Sequence, residues 1–141
     1  MITVVLSDER LDEAKAEASV STARAGAVVT FRGVVRDHDH DRGVTRIEYV
    51  AHPSAAKVLA DVTERVSAPA MAPGEVERVY CAHRIGHLPV GELAFLVVVA
   101  AAHRGPAFRL AAELVDEVKG NLPVWKRQDF ADGSDEWVDC P

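Results

Sequence analysis

The chain has 141 residues, 48% hydrophobic and 27% charged, the balance of a globular protein large enough to bury a core without disulfide or metal staples. Its net charge of −6 excludes nucleic-acid affinity carried by overall charge. The longest apolar run, Leu93 to Ala102, is about half of what crosses a bilayer.

Thr3 to Leu6 reads as a short strand. Ser7 offers an N-cap oxygen to a following helix, with Asp8 and Glu9 in its first turn and Leu11, Ala14, Ala18 and Val20 as its apolar stripe. The β-branched density from Gly26 to Val35 predicts a strand, Asp37 to Gly43 a polar turn, and Val44 to Val50 a returning strand. Pro53 and Ser54 open a second helix with Ala56, Leu59, Ala60, Val62 and Val66 on its stripe, ended by Pro69 and Pro73. Val76 to Ile85 and Glu92 to Ala102 are two more strands joined by a turn over 86–91, the second apolar enough to be buried on both faces. Pro106 suits the first position of a third helix. The apolar face of that helix is Phe108, Ala111, Ala112, Leu114, Val115 and Val118, and Gly120-Asn121 stops it. Leu122 to Phe130 and Trp137-Val138 are extended pieces around a turn at 132–134. Strands mixed with three helices, without repeat or linker, predict one α+β domain over residues 1–141.

The N-terminus lacks a basic stretch followed by a long apolar one, so no signal peptide is expected and the cytoplasm is the expected location. Cys81 and Cys140 lie far apart, and a reduced chain is the simpler reading. Three features carry chemistry. His83-Arg84 and His103-Arg104 each stand at a strand end, where alternation lets one member of a pair face a site. Arg offers a planar fork for phosphate or carboxylate, and His a donor or proton-transfer group; solvated strand ends paired with carboxylates are the plainer alternative. Lys119 shares a helical line with Phe108, Ala112 and Val115, consistent with a snorkelling lysine or with a partly desolvated catalytic amine. Pro123 forces extended geometry after the helix, so Lys126 can fold back towards Lys119 to form an anion site; a Lys- and Arg-guarded edge strand is the alternative. Asp37-His38-Asp39-His40-Asp41 has the composition of a metal tract, but a solvated hairpin loop is the expected form and no metal is predicted. Cys81, in an apolar strand, reads as a buried small hydrophobe.

Several stretches in order resemble the large, catalytic subunit of molybdopterin synthase. They are Gly26 to Arg36, His83-Arg84-Ile85-Gly86-His87-Leu88-Pro89-Val90-Gly91-Glu92, His103-Arg104-Gly105-Pro106-Ala107-Phe108, Val118-Lys119 through Arg127, and Asp132-Gly133 followed by Trp137-Val138. The resemblance runs from about residue 20 to residue 138. It implies an α/β hammerhead-type fold with a small additional β subdomain, and a homodimer within a heterotetramer. A small ubiquitin-like carrier subunit would insert a Gly-Gly tail ending in a thiocarboxylate. Its sulfur would pass to cyclic pyranopterin monophosphate, building the dithiolene of molybdopterin without a protein-bound cofactor. By position Lys119 matches the principal catalytic lysine and Lys126 the second. Arg36, His103 and Arg104 match residues that hold the pterin and its phosphate, the His-Arg pair coming from the neighbouring subunit, with Phe31 and Phe108 walling the pocket. The chain departs from the family's pattern at Gln128, where an acidic residue is common, at Val50 and His52, and in the acidic loop 37–42. A non-catalytic docking module for the carrier tail is the alternative function.

Overall fold

The structure, a computed structural model, describes residues 1–139, the backbone alone at 139; the predicted reduced Cys140 lies outside them. The elements run β1 (Ile2–Ser7), α1 (Glu13–Val20), β2 (Ala27–Val34), β3 (His38–Asp39), β4 (Arg42–Ala51) and α2 (Ala55–Met71). They continue with β5 (Val76–Arg84), β6 (Gly86–Pro89), β7 (Leu93–Ala101), α3 (Arg104–Asn121), β8 (Val124–Phe130) and β9 (Asp135–Asp139). The α+β class and the three helices are as predicted.

A four-stranded sheet has the order β1-β5-β7-β2, with β1 parallel to β5 and the other pairs antiparallel. All nine residues of β7 are buried, as a strand covered on both faces requires. Alternation sorts the side chains of the central strands. Val79, Cys81, Val97 and Val99 join the cluster that contains Leu59, Val62 and Val66 of α2 and Leu110, Leu114 and Val118 of α3. Tyr80, Ala82, Leu96, Val98 and Ala100 turn to the opposite face, where Ala16 and Val20 of α1 cover them. Cys81 is a free thiol in that core, and burial pushes it up to about 11, well away from a reactive thiolate.

The second sheet runs β3-β4-β8-β9, with β6 also pairing on β4. Its Val44, Ile47, Tyr49, Val124 and Phe130 join the cluster beneath α2 and α3, so the two sheets share one apolar interior. β3 and β4 meet in a two-residue turn at His40 and Asp41, both at positive φ (48° and 66°). A primed hairpin turn needs that backbone to match strand twist.

Several local expectations give way to tertiary pairing. Ser7 ends β1 opposite Arg84 and its carbonyl accepts the Ile85 N–H at 2.8 Å, so the ladder claims it and α1 starts later, capped by the Asp12 carboxylate on the Lys15 N–H at 3.0 Å. The later start buries Val20 of the predicted stripe but leaves Ala14 and Ala18 exposed, with Ala16 buried in their stead. Pro69 lies within α2 rather than ending it: in the last turn it removes one helical bond, while the Ala72 N–H still reaches the Ala68 carbonyl at 3.0 Å. Pro106 is the third rather than the first residue of α3, still within the turn that needs no donor. The expected turn over 86–91 contains a strand, β6, because β4 offers its open edge opposite Gly86 to Pro89. No helix among the described residues is long and apolar enough to cross a membrane.

Candidate active site

α3 delivers Lys119 in its last turn, and its geometry explains the placement. Ala107, Leu110, Ala111, Leu114 and Val118 form the buried face, whereas the line Phe108, Ala112, Val115 and Lys119 is rotated outward. Phe108 is 61% exposed. The chain then turns sharply: the Leu122 N–H donates to the Val118 carbonyl at 2.8 Å, and Pro123 carries it into β8. β8 lies between β4 and β9, so it is not the guarded edge strand that was the alternative reading. Period-two alternation along it separates the basic pair. Lys126 and Gln128 face a cavity shared with Lys119, while Arg127 turns away to the Glu48 and Asp129 carboxylates, at 3.5 and 3.6 Å.

That cavity holds about 330 Å³ and brings together Arg36, Lys119 and Lys126. Arg36 follows β2, whose register against β7 shifts between Gly33 and Val34; such a bulge re-aims the residues after it. A Cβ added at Gly33 would stand 3.1 Å from that of Phe95, so glycine lets β2 run close beside the cavity wall. Asp39 faces the cations, 3.7 Å from Arg36 Nη2, and His38 lines the mouth with its Nδ1 2.7 Å from Asp37. That contact holds the Asp37 carboxyl below its usual range. Among the described residues no three His, Cys, Asp or Glu side chains cluster to hold a metal.

Of the floor, the sequence had singled out only His83, as a member of a His-Arg pair of which one side chain could face a site. His83, 1% exposed, lies between Tyr49, whose ring is edge-on at 5.0 Å, and Phe95, at 5.4 Å. Its Nδ1 donates to the Arg84 carbonyl at 2.7 Å. Burial, and next to it the positive charge of Lys119, push His83 down to about 4 against the support of that hydrogen bond, so the ring is neutral at physiological pH. Burial likewise pushes Tyr49 up to about 12, keeping it a neutral phenol. Gln128, 4% exposed, presents an Oε1 without a hydrogen-bond partner. In the sequence the repeated His-Arg pair at a strand end marked His83, and the structure turns His83 rather than Arg84 to the cavity. Tyr49 and Gln128 carried no local signal, since pairing across β4 and β8 puts them there.

The lysines divide the two properties expected of one. Lys119 is exposed, and Lys126 is the half-buried amine. Burial, then the charges of Lys119 and Arg36, lower Lys126 against the pull of Asp39. A lysine lowered on folding imposes a penalty at neutral pH that is relieved only as the pH climbs towards 10.5. Lys126→Met should therefore weaken anion binding in the cavity yet melt no earlier than the parent. A melting temperature several degrees lower would show that Lys126 is a structural contact.

The other predicted residues lie apart. Phe31 and Phe108 line a neighbouring apolar groove of about 380 Å³ with Val29, Ala111, Ala112 and Val115; Phe31 adjoins the cavity through Phe95, ring centroids 5.6 Å apart. His103 occupies the N-cap position of α3 without a side-chain capping bond, and Arg104 begins the helix, about 22 Å along the axis from Lys119 at 1.5 Å per residue. Within one chain neither reaches the cavity. Arg84, the partner of His83, turns to the Glu92 carboxylate at 2.9 Å in a nearly buried ion pair.

Comparison with known proteins places the chain as a whole among relatives. The family model described as "MoaE protein" matches residues 6–121. A molybdopterin synthase catalytic subunit from Aspergillus clavatus is 39% identical over 137 residues, covering 96% of this chain and 67% of the relative. One from Pyrococcus abyssi is 37% identical over 138 residues, covering 98% and 90%. Against several fungal relatives the chain spans only about three fifths of their length, 59% for that of Emericella nidulans. The crystal structure of molybdopterin synthase from Staphylococcus aureus superposes with a TM-score of 0.83 at 28% identity, covering 94% of each chain.

Proposed function

The chain belongs to the MoaE protein family, that of the molybdopterin synthase catalytic subunits, and on that premise we propose that it transfers sulfur from a carrier thiocarboxylate to cyclic pyranopterin monophosphate. The observation that carries this reading is the convergence of Lys119, Lys126 and Arg36 on one cavity with an uncharged floor. A thiocarboxylate and a cyclic phosphate are both anions. Cations fixed in a partly desolvated site bind them without reorganising during reaction. Arg36 is the fork suited to the phosphate. The thiocarboxylate sulfur first displaces an oxygen substituent from the pterin side chain, giving a thioester; water then cleaves the acyl–sulfur bond, so the acyl carbon leaves as a carboxylate and the sulfur stays on the pterin as a thiolate. The acyl oxygen collects negative charge on the way, and Lys119 and Lys126 stabilise it. Lys119, the more exposed amine, acts at the same centre, as nucleophile towards the acyl carbon or as proton donor to its oxygen. Two rounds supply both sulfurs of the dithiolene.

The groove between β2 and α3 supports a tail-binding role, because its stripe of Phe108, Ala112 and Val115 ends at Lys119. An extended Gly-Gly tail of a small ubiquitin-like carrier, lying along it, would end at the cations. The separation of His103 and Arg104 from the cavity fits a homodimer within a heterotetramer, in which a second copy brings that pair to the substrate. Residues 1–141 act in this reading as a single cytoplasmic domain.

The test is reconstitution. The purified chain, thiocarboxylated carrier and cyclic pyranopterin monophosphate should yield molybdopterin, read as its fluorescent oxidation product. Carrier ending in an ordinary carboxylate should yield none. A folded chain that binds the carrier tail but makes no product would instead be a docking module.

A further inference from the structure

Cleavage of a thioester by water needs a group that takes a proton from the water, and most of the cavity cannot supply one. Lys119, Lys126 and Arg36 serve there as cations, which already hold their protons. Burial keeps Tyr49 a protonated phenol, at about 12. His83 is pushed down to about 4, too weak a base to draw a proton at neutral pH. The Asp39 carboxylate lies 3.7 Å from both Arg36 and His40 and is occupied by them. The amide of Gln128 is not basic. One lining residue is left, His38, from the His- and Asp-rich tract that the sequence marked and no function has absorbed.

Its setting is that of a working base. The backbone fixes it at the cavity mouth, because His38 pairs with Gly43 across the hairpin and the Asp37 carbonyl accepts the Val44 N–H at 2.7 Å. His38 Nδ1 lies 2.7 Å from Asp37 Oδ1. An ionised carboxylate only accepts, so the proton is on Nδ1 and Nε2 carries the lone pair. Nε2 has no hydrogen-bond partner among the described residues, and 61% of the side chain is open to water. Imidazole is also the side chain suited to exchanging protons at neutral pH.

We infer that His38 is the general base of the hydrolytic step, its Nε2 taking a proton from the water that attacks the acyl carbon while Asp37 holds the ring in the required tautomer. The new carbon–oxygen bond forms as the carbon–sulfur bond breaks. Sulfur leaves with the electron pair as a thiolate. One proton of the water goes to Nε2, and the acid formed loses the other to solvent. Asp37 and Asp39 offset the charge that the ring gains beside Arg36. The open mouth then lets the ring return its proton to bulk water.

This inference rests on the sulfur-transfer reading, so one arm of the test is independent of it. In the reconstituted complex, His38→Ala should lower kcat by about a hundredfold with KM little changed, the lower end of what a general base contributes. The carrier–pterin thioester should accumulate in that variant, seen as the intact mass of the conjugate. Free imidazole, which fits the space left at the mouth, should restore at least about a tenth of the lost rate. Asp37→Asn should lose less and gain nothing from imidazole. In the second arm a peptide ending in Gly-Gly, as its thioester with mercaptoethanesulfonate, should be hydrolysed faster by wild type than by His38→Ala. Turnover by His38→Ala within about threefold of wild type would overturn the inference, as would a loss without accumulated thioester or imidazole rescue. No molybdopterin from the wild type, with His38-dependent hydrolysis of the peptide thioester retained, would sink the sulfur-transfer reading alone. Hydrolysis independent of His38 in both arms would remove the base.

Discussion

Replacing Lys119 by alanine should reduce molybdopterin formation by at least about a hundredfold to a thousandfold, the loss expected when a preorganised charge at the reacting centre is removed. The expectation is specific because of where the residue stands. Lys119 is exposed at the end of α3 and lies outside the face formed by Leu110, Leu114 and Val118, so truncation opens no core cavity. Urea denaturation of Lys119→Ala should match the parent while single-turnover sulfur transfer collapses. A variant that kept more than about a tenth of the rate would remove Lys119 from the chemistry. Lys126 would then be the amine to test, since burial, Lys119 and Arg36 have already lowered its affinity for a proton.

The second large effect is on stability. His83 binds its proton near pH 6.5 when the chain is unfolded and near 4 when it is folded. Between those values the unfolded chain holds the proton and the native one does not, so stability rises with pH across the window and is lost on acidification. At about 1.36 kcal/mol per pH unit, the protein should lose roughly 3 kcal/mol from His83 between pH 6.5 and 4. The paired carboxylates of Asp37, Asp129 and Asp132 are lowered from 3.8, so their contribution is lost only below this range. Urea midpoints measured at intervals from pH 7 to 4 should fall steeply in the wild type and much less in His83→Gln. Parallel curves would mean that the native ring protonates freely and is not held neutral by burial.

Much of the site was legible in the sequence because its parts are short-range. A helix ended by Gly120-Asn121 and a proline two residues on dictate that Lys119 and Lys126 lie on either side of one turn, whatever the rest of the chain does. The nearly continuous apolar run from Glu92 to Ala102 likewise marked β7 as a central strand buried on both faces before any partner was known. Other readings failed where local and long-range demands compete. Ser7 is a competent cap on its own, and its Oγ does accept the Glu9 N–H at 2.9 Å, but its pairing opposite Arg84, 77 positions away, keeps it in β1 and the helix starts later. Gly86 to Pro89 looks like a turn because glycine and proline favour turns, and it becomes a strand because β4 has an unpaired edge beside it. Phe108 has an ideal core side chain and is left outside by a rotation of α3 that Leu110 and Leu114 decide.

The sequence by itself therefore determined the elements, the α+β class and the cationic character of the site, because propensity, periodicity and charge act between residues close along the chain. Only the tertiary structure decided which cations meet and what lies beneath them. Strand pairing across β4, β5, β7 and β8 sets Tyr49, His83, Phe95 and Gln128 under Lys119 and Lys126, and turns Arg84 and Arg127 away from the same cavity. A one-residue change of register would exchange those sets, since adjacent strand residues face opposite sides. The protonation of the site follows from the same placement: burial and neighbouring charge leave His83 neutral and Lys126 lowered, and neither quantity exists until the strands have paired.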